Sequence, residues 1–242
     1  MNRRATQLLR ATLLDGAPAR QAWARWTRAV RNPVDVLGRD AMMARPLMPL
    51  IYDSVRRNEL PADRETMTLL RSAYLTESLR SRAYRDIVDE LIAHLAGVEF
   101  LLIKGAAVGE LYYDEPALRH AHDIEIVARD FADVRGALEG SRFRFEGGRF
   151  LHESNLELRV HDLPLWDRTI AMPNAARTLD ATQSFQLALT HAGPSGRWVC
   201  DAQMIVRRAE IDFGRVVGVR SQLRWLRDHL GLEIPAAATR WW

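Results

Sequence analysis

Apolar side chains recur at helical spacing over both flanks of this chain and alternate with polar ones in a short central stretch. Residues 62–96 follow a helix-start signal at Pro61-Ala62-Asp63 and carry Leu69, Leu70, Ala73, Leu75, Leu79, Ile87, Leu91, Ile92 and Leu95 at helical intervals, which predicts one long helix lying on the core. Within residues 1–31, Leu8, Leu9, Leu13 and Leu14 form an apolar side, and Trp23 and Trp26 are spaced to pack together. After Pro173 the spacing predicts helices over 181–192, 197–209 and 211–230, with Gly193-Pro194-Ser195-Gly196 as a turn. The segment Ala236 to Trp242 ends in Trp241 and Trp242, which are expected to dock on the body or mediate a contact, because exposed aromatic surface is costly.

The centre reads differently. Phe100-Leu101-Leu102-Ile103 is strand-like and runs into Lys104-Gly105; a short helix then spans Gly105 to Tyr113, with Ala106, Val108, Leu111 and Tyr112 on its apolar side. Asp114-Glu115-Pro116 ends that helix, since the residue before a proline disfavours helical geometry. A loop carrying Arg119 leads to Asp123-Ile124-Glu125-Ile126-Val127, whose alternation predicts a half-buried strand with both carboxylates on one face. At about 3.3 Å of rise per residue those side chains emerge roughly 7 Å apart. Like charges that close repel unless a cation lies between them. Taken alone, an acid-x-acid alternation is ordinarily a strand with one face in water.

Its neighbours change that. The chain has a single lysine, Lys104, against thirty-three arginines. Arginine-rich codon usage accounts for this equally well by itself. A lone lysine at a strand end followed by glycine nevertheless suggests a site needing a compact point charge, as a phosphate does.

Together Ile103-Lys104-Gly105-Ala106-Ala107, Tyr113-Asp114-Glu115-Pro116, Leu118-Arg119 and Asp123-Ile124-Glu125-Ile126-Val127, in this order and spacing, resemble the uncharacterised bacterial nucleotidyltransferase-like proteins of the DNA polymerase β superfamily. The resemblance extends more loosely to Leu47–Tyr52 and to His191–Asp201. It implies an α+β (mixed α/β) fold: a small mixed-sheet nucleotidyltransferase core over 98–170, with helical regions over 1–97 and 171–242. It also implies that Asp123 and Glu125 bind magnesium or manganese, that a later strand supplies a third acid, and that two such ions bridge the carboxylates and the triphosphate of an NTP. Magnesium keeps several waters, so two or three carboxylates plus substrate phosphates suffice. Lys104, Gly105 and Ala106 would hold phosphate together with the first amides of the helix. Arg119 is placed to hold either a phosphate or a structural carboxylate.

Two positions depart from the family pattern. Glu125 stands where the family usually has aspartate. In the later strand the family tends to read Glu-Leu-His, whereas here the chain reads Leu156-Glu157-Leu158-Arg159-Val160-His161. If His161 is the family histidine, Arg159 occupies the acidic place; if Glu157 is the family acid, the histidine has become arginine. Glu157, Arg159 and His161 share one strand face either way, so Glu157 is the candidate third ligand. The expected activity is transfer of NMP from an NTP such as ATP to a hydroxyl or phosphate on a small molecule, peptide or protein. The alternative is a member that has lost catalysis and serves as a binding or accessory partner in a biosynthetic or toxin-related system.

Composition narrows the rest. With 242 residues and 48% hydrophobic content the chain can bury a sizeable core. No run of about eighteen apolar residues is present, so no membrane span is expected. Met1-Asn2-Arg3-Arg4-Ala5 lacks the apolar core of a secretory signal, and a single cysteine excludes an internal disulfide, which together suit a cytoplasmic location. Cys200 lies in a helical pattern and reads as core rather than nucleophile. The seven histidines have no zinc-ligand spacing, and His120 and His122 read as solvated loop residues. No Walker loop, nucleophile elbow or dinucleotide fingerprint occurs. Residues 1–31 hold seven arginines and one acid, a balance of +6 against −3 for the remainder. A nucleic-acid acceptor is compatible but not favoured, since that basic excess lies far along the chain from the acidic strand.

Overall fold

The structure is a computed structural model that describes residues 1–40, 44–164, 167–193 and 196–235. Helices α1 (Arg3–Leu13), α2 (Gly16–Ala29), α3 (Pro33–Arg39) and α4 (Ala44–Arg57) lead into the long α5 (Arg64–His94). Side-chain caps set their starts: Asn2 accepts from the Ala5 amide at 2.9 Å and Asp63 from the Thr66 amide at 2.7 Å. Then come β1 (Phe100–Ile103), α6 (Gly105–Tyr112), β2 (Asp123–Ala128), α7 (Phe131–Ala137), β3 (Phe143–Glu146), β4 (Arg149–His152) and β5 (Glu157–His161). A hairpin of β6 (Thr169–Ala171) and β7 (Arg177–Leu179) precedes α8 (Ala181–Thr190), α9 (Arg197–Arg208) and α10 (Arg220–Leu230).

The five-stranded sheet runs β1-β2-β5-β4-β3, with β2 parallel to β5 and the other neighbours antiparallel. The fold is therefore α+β, with helices around a small mixed sheet. One sheet face carries Leu102, Ile124, Ile126 and Leu158 against Val88 and Leu91 of α5 and Val134 of α7. The other carries Leu101, Ile103 and Val127 against Leu179 of β7 and Leu187 of α8. Covered from both sides, all six residues of β2 are buried, which corrects the half-buried strand expected from its alternation. The cover of the carboxylate face comes from β7 and α8, far downstream in the chain.

The two helical flanks share one core. Leu8 and Trp26 from the N-terminal helices, Leu50 and Ile51 from α4, Ile205 from α9 and Leu226 from α10 belong to a single apolar cluster. Trp23 and Trp26 pack with ring centroids 5.1 Å apart, as their spacing predicts. Helix α5 ties this cluster to the sheet, contributing Leu70 to one and Val88 and Leu91 to the other. Between them Leu75 and Leu79 are 50% and 69% exposed, so these two leucines join neither core.

The helix expected over 211–230 begins only at Arg220. The Asp212 side chain accepts from the Gly214 amide and caps a 3-10 turn at Phe213–Arg215, and Gly218 adopts φ +73°, so the chain cannot continue helically there. The turn residues Pro194 and Ser195 and the terminal Trp241 and Trp242 lie outside the described residues. Among the described residues no helix is long and apolar enough to cross a membrane.

Trp26→Ala, which empties the centre of the shared helical core, is expected to cost about 3–5 kcal/mol in a urea unfolding titration. Leu79→Ala on the exposed turn of α5 should change stability by less than about 0.5 kcal/mol.

Candidate functional site

One residue connects β1 to α6, and it is Lys104. Its backbone sits at φ 50°, ψ −117°, a region that non-glycine residues enter at a cost of about 1–3 kcal/mol. The turn is closed by the Lys104 carbonyl accepting from the Val108 amide at 2.7 Å. Because Ile103 pairs in register with Glu125, this turn lies beside β2, and Lys104 Nζ reaches Glu125 Oε2 at 2.5 Å.

The packing around Gly105 gives a reason for glycine there. A Cβ there would stand 3.2 Å from Arg119 Nη1, 3.5 Å from the Asp123 carbonyl and 3.6 Å from the Tyr84 hydroxyl. That hydroxyl donates to the Asp123 carbonyl at 3.0 Å and fixes the start of β2. Ala106 turns its side chain into the core on the opposite sheet face, so only its main-chain amide, in the first turn of α6, is on offer to a ligand.

Asp123 and Glu125 are buried, at 9% and 8% exposure. Burial opposes ionisation of Glu125, but hydrogen bonds from His161 (2.7 Å) and Lys104 (2.5 Å) to the same oxygen outweigh it and hold the carboxyl down at about 2. Asp123 Oδ2 lies 3.5 Å from Arg159 Nη1 and 3.8 Å from His122 Nε2. The parallel register of β2 and β5 pairs Asp123 with Glu157, Glu125 with Arg159 and Val127 with His161, so all three β5 side chains lie on the carboxylate face. Glu157 is thus level with Asp123, but its carboxylate accepts from Arg159 Nε at 2.7 Å and from Arg149 Nη1 at 3.1 Å. The Arg159 hydrogen bond, foremost, keeps its carboxyl below the usual range.

Helices α8 and α9 form the far wall of a cleft of about 230 Å³, contributing Leu187, His191, Arg197 and Trp198. Arg119, from the loop before β2, forks onto Asp201 of α9 with Nε–Oδ1 and Nη2–Oδ2 both at 2.8 Å, and the Tyr113 hydroxyl donates to the same carboxylate at 2.8 Å. Of its two expected partners, the structure gives Arg119 the carboxylate. Cys200 beside this pair is buried and its thiol pushed up by burial, as a core residue should be. The two loop histidines are engaged rather than merely solvated: His120 Nδ1 lies 2.9 Å from Glu77 Oε2 and His122 Nδ1 lies 3.2 Å from Arg197 Nη1. Burial, opposed by Asp123, holds His122 below the ordinary histidine range. Neither Arg197 nor Trp198 is a site candidate in the sequence, where both are marked only by a place at a predicted helix start directly after a turn and by lying within the loosely resembling stretch His191–Asp201.

With this geometry in view, residues 40–163 match the model of a family described as uncharacterised nucleotidyltransferase, just over half of the chain. The chain belongs to that family. The family match takes in Lys104, Asp123, Glu125, Arg159 and His161 and stops before α8 and α9, so Arg197 and Asp201 lie outside it. Among solved structures, the antigenic nucleotidyltransferase-like protein from Paracoccidioides brasiliensis aligns with a TM-score of 0.40 and 14% identity, over 69% of this chain and 95% of that one. No curated protein matches.

The donor set suits one divalent cation. Asp123 and Glu125 offer two carboxylates on one face, and magnesium accepts water and phosphate oxygen in its other positions. A third carboxylate is not brought to them: Glu157 is engaged by two arginines, and among the described residues no group of three His, Cys, Asp or Glu is placed to hold a metal.

Lys104→Gly and Lys104→Ala both remove the ammonium, but only glycine relaxes the turn. The glycine variant is expected to be more stable than the alanine variant by about 1 kcal/mol in thermal unfolding. Asp201→Asn, which leaves the buried Arg119 without its counter-charge, should cost about 3–5 kcal/mol by urea titration.

Proposed function

We propose that this cleft binds a nucleoside triphosphate and that the protein transfers NMP to a hydroxyl or phosphate on a small molecule, peptide or protein. The observation that carries this reading is the chain's one lysine, held in a strained turn against Glu125, with both buried carboxylates opening into a single cleft. Strain retained at a cleft is a mark of a functional position.

Each group then has a role. Asp123 and Glu125 would hold magnesium or manganese, which when bound neutralises the triphosphate and activates the attacking hydroxyl. Lys104 supplies a compact charge to the phosphates, and the amides at Gly105 and Ala106 add the positive end of α6. His161, bonded to Glu125, fixes the carboxylate's orientation. Trp198 and Leu187 on the far wall give the base or acceptor an apolar surface.

A second reading, a nucleotide-binding member without transfer, is favoured by one observation: Arg159 lies beside Asp123 and engages Glu157, so the candidate third acid faces a guanidinium instead of a shared metal. Calorimetry with each NTP separates the two. The transfer reading expects an NTP that binds at least about tenfold tighter with magnesium or manganese than in EDTA. Asp123→Asn should abolish that gain while unfolding within about 2 °C of wild type. Binding indifferent to metal would favour the second reading, and no NTP binding under any condition would overturn both.

A further inference from the structure

We propose that Arg159 takes the place of a divalent cation, so that the cleft accepts a polyphosphate-bearing ligand without metal and holds at most one metal ion. The inference rests on reading the cleft as a phosphate site. It goes further in assigning to a side chain of this protein a charge that a second metal ion would otherwise supply.

Position comes first. Arg159 is paired with Glu125 in the β2–β5 register, one strand away from both metal-ligand candidates and on their face. Its Nη1 lies 3.5 Å from Asp123 and its Nε 2.7 Å from Glu157. Those contacts use a minority of the five N–H groups of a guanidinium, and the side chain remains 46% exposed where it lines the cleft. Glu157, clamped from the other side by Arg149 at 3.1 Å, is a positioning residue that aims the Arg159 fork.

The charge balance points the same way. Arg119 and Asp201 cancel one another in their buried pair, leaving Lys104, Arg159 and Arg197 facing Asp123 and Glu125 around the cleft. The cleft is therefore positive before any ligand or metal enters. A carboxylate at 159 would make it more negative by two charges and reverse its sign. Two divalent cations would add four positive charges to a cleft that already carries an excess, and a guanidinium matches phosphate oxygens in a way that needs no metal.

Inorganic tripolyphosphate, which has no base, tests this independently of the nucleotide. By calorimetry in EDTA, wild type should bind tripolyphosphate, Arg159→Met should bind it at least about tenfold more weakly, and Arg159→Lys should recover most of the loss. All three should unfold at similar temperatures. Manganese counted by electron paramagnetic resonance with tripolyphosphate present should not exceed one ion per wild-type chain and should rise to two in Arg159→Glu. The proposal is overturned if wild type needs metal to bind tripolyphosphate, if Arg159→Met binds as wild type does, or if Arg159→Glu and wild type hold the same number of ions. Tripolyphosphate binding as described, with NTPs binding no better, would sink the nucleotide reading and leave this one standing.

Discussion

The buried pair of Arg119 and Asp201 is the contact on which the site's geometry depends. It joins the loop that delivers β2 to the helix that forms the cleft's far wall, and Tyr113 at the end of α6 completes it. Three segments that converge on the cleft are thus pinned by one carboxylate. A pair so buried has little solvent to fall back on, and each partner is held by the cost of leaving the other uncompensated. Gly105 follows from it, since the guanidinium fills the space a side chain would need. So does the placement of Arg197, four residues before Asp201 on the same face of α9.

Around that pin the cleft is built from opposed demands. Buried carboxylates on β2 want partners, and the chain supplies three kinds: an ammonium from a strained turn, and an imidazole N–H and a guanidinium from β5. Each arrives by a different route, through the strand–helix connection or through the parallel register of neighbouring strands. Such a cleft is held in shape by its own ion pairs before any ligand is present, and a ligand that enters must exchange with them.

Much of this was legible in the residues themselves. The long helix α5, the short α6, the acidic strand and the helices α8 and α9 announced themselves through period and caps, and the Lys-Gly to Asp-x-Glu order carried the family. What stayed hidden has physical causes. Strands of three or four residues, such as β6, β7, β3 and β4, are too short for a period, although Gly147-Gly148, at φ +57° and +83°, is a hairpin signal that could have been used. Burial of β2 depends on α8 and β7, which no local pattern around Asp123 encodes. Alternation placed Glu157, Arg159 and His161 on one face, but only the register and the presence of Arg149 decide that the glutamate turns to arginines while the histidine reaches Glu125. The leucines in the middle of α5 obey helical spacing yet face water, because spacing defines a stripe and not its cover.

The lone lysine has a consequence for the protein's surface chemistry. Thirty-three of the thirty-four basic side chains are guanidinium groups, which ordinary acylating and aldehyde reagents leave alone, so one side-chain amine in the molecule answers to such reagents. It sits in the cleft, partly open to solvent and shielded by whatever occupies that space. The molecule thus carries a built-in covalent handle at its candidate site, addressable without engineering a cysteine or adding a tag.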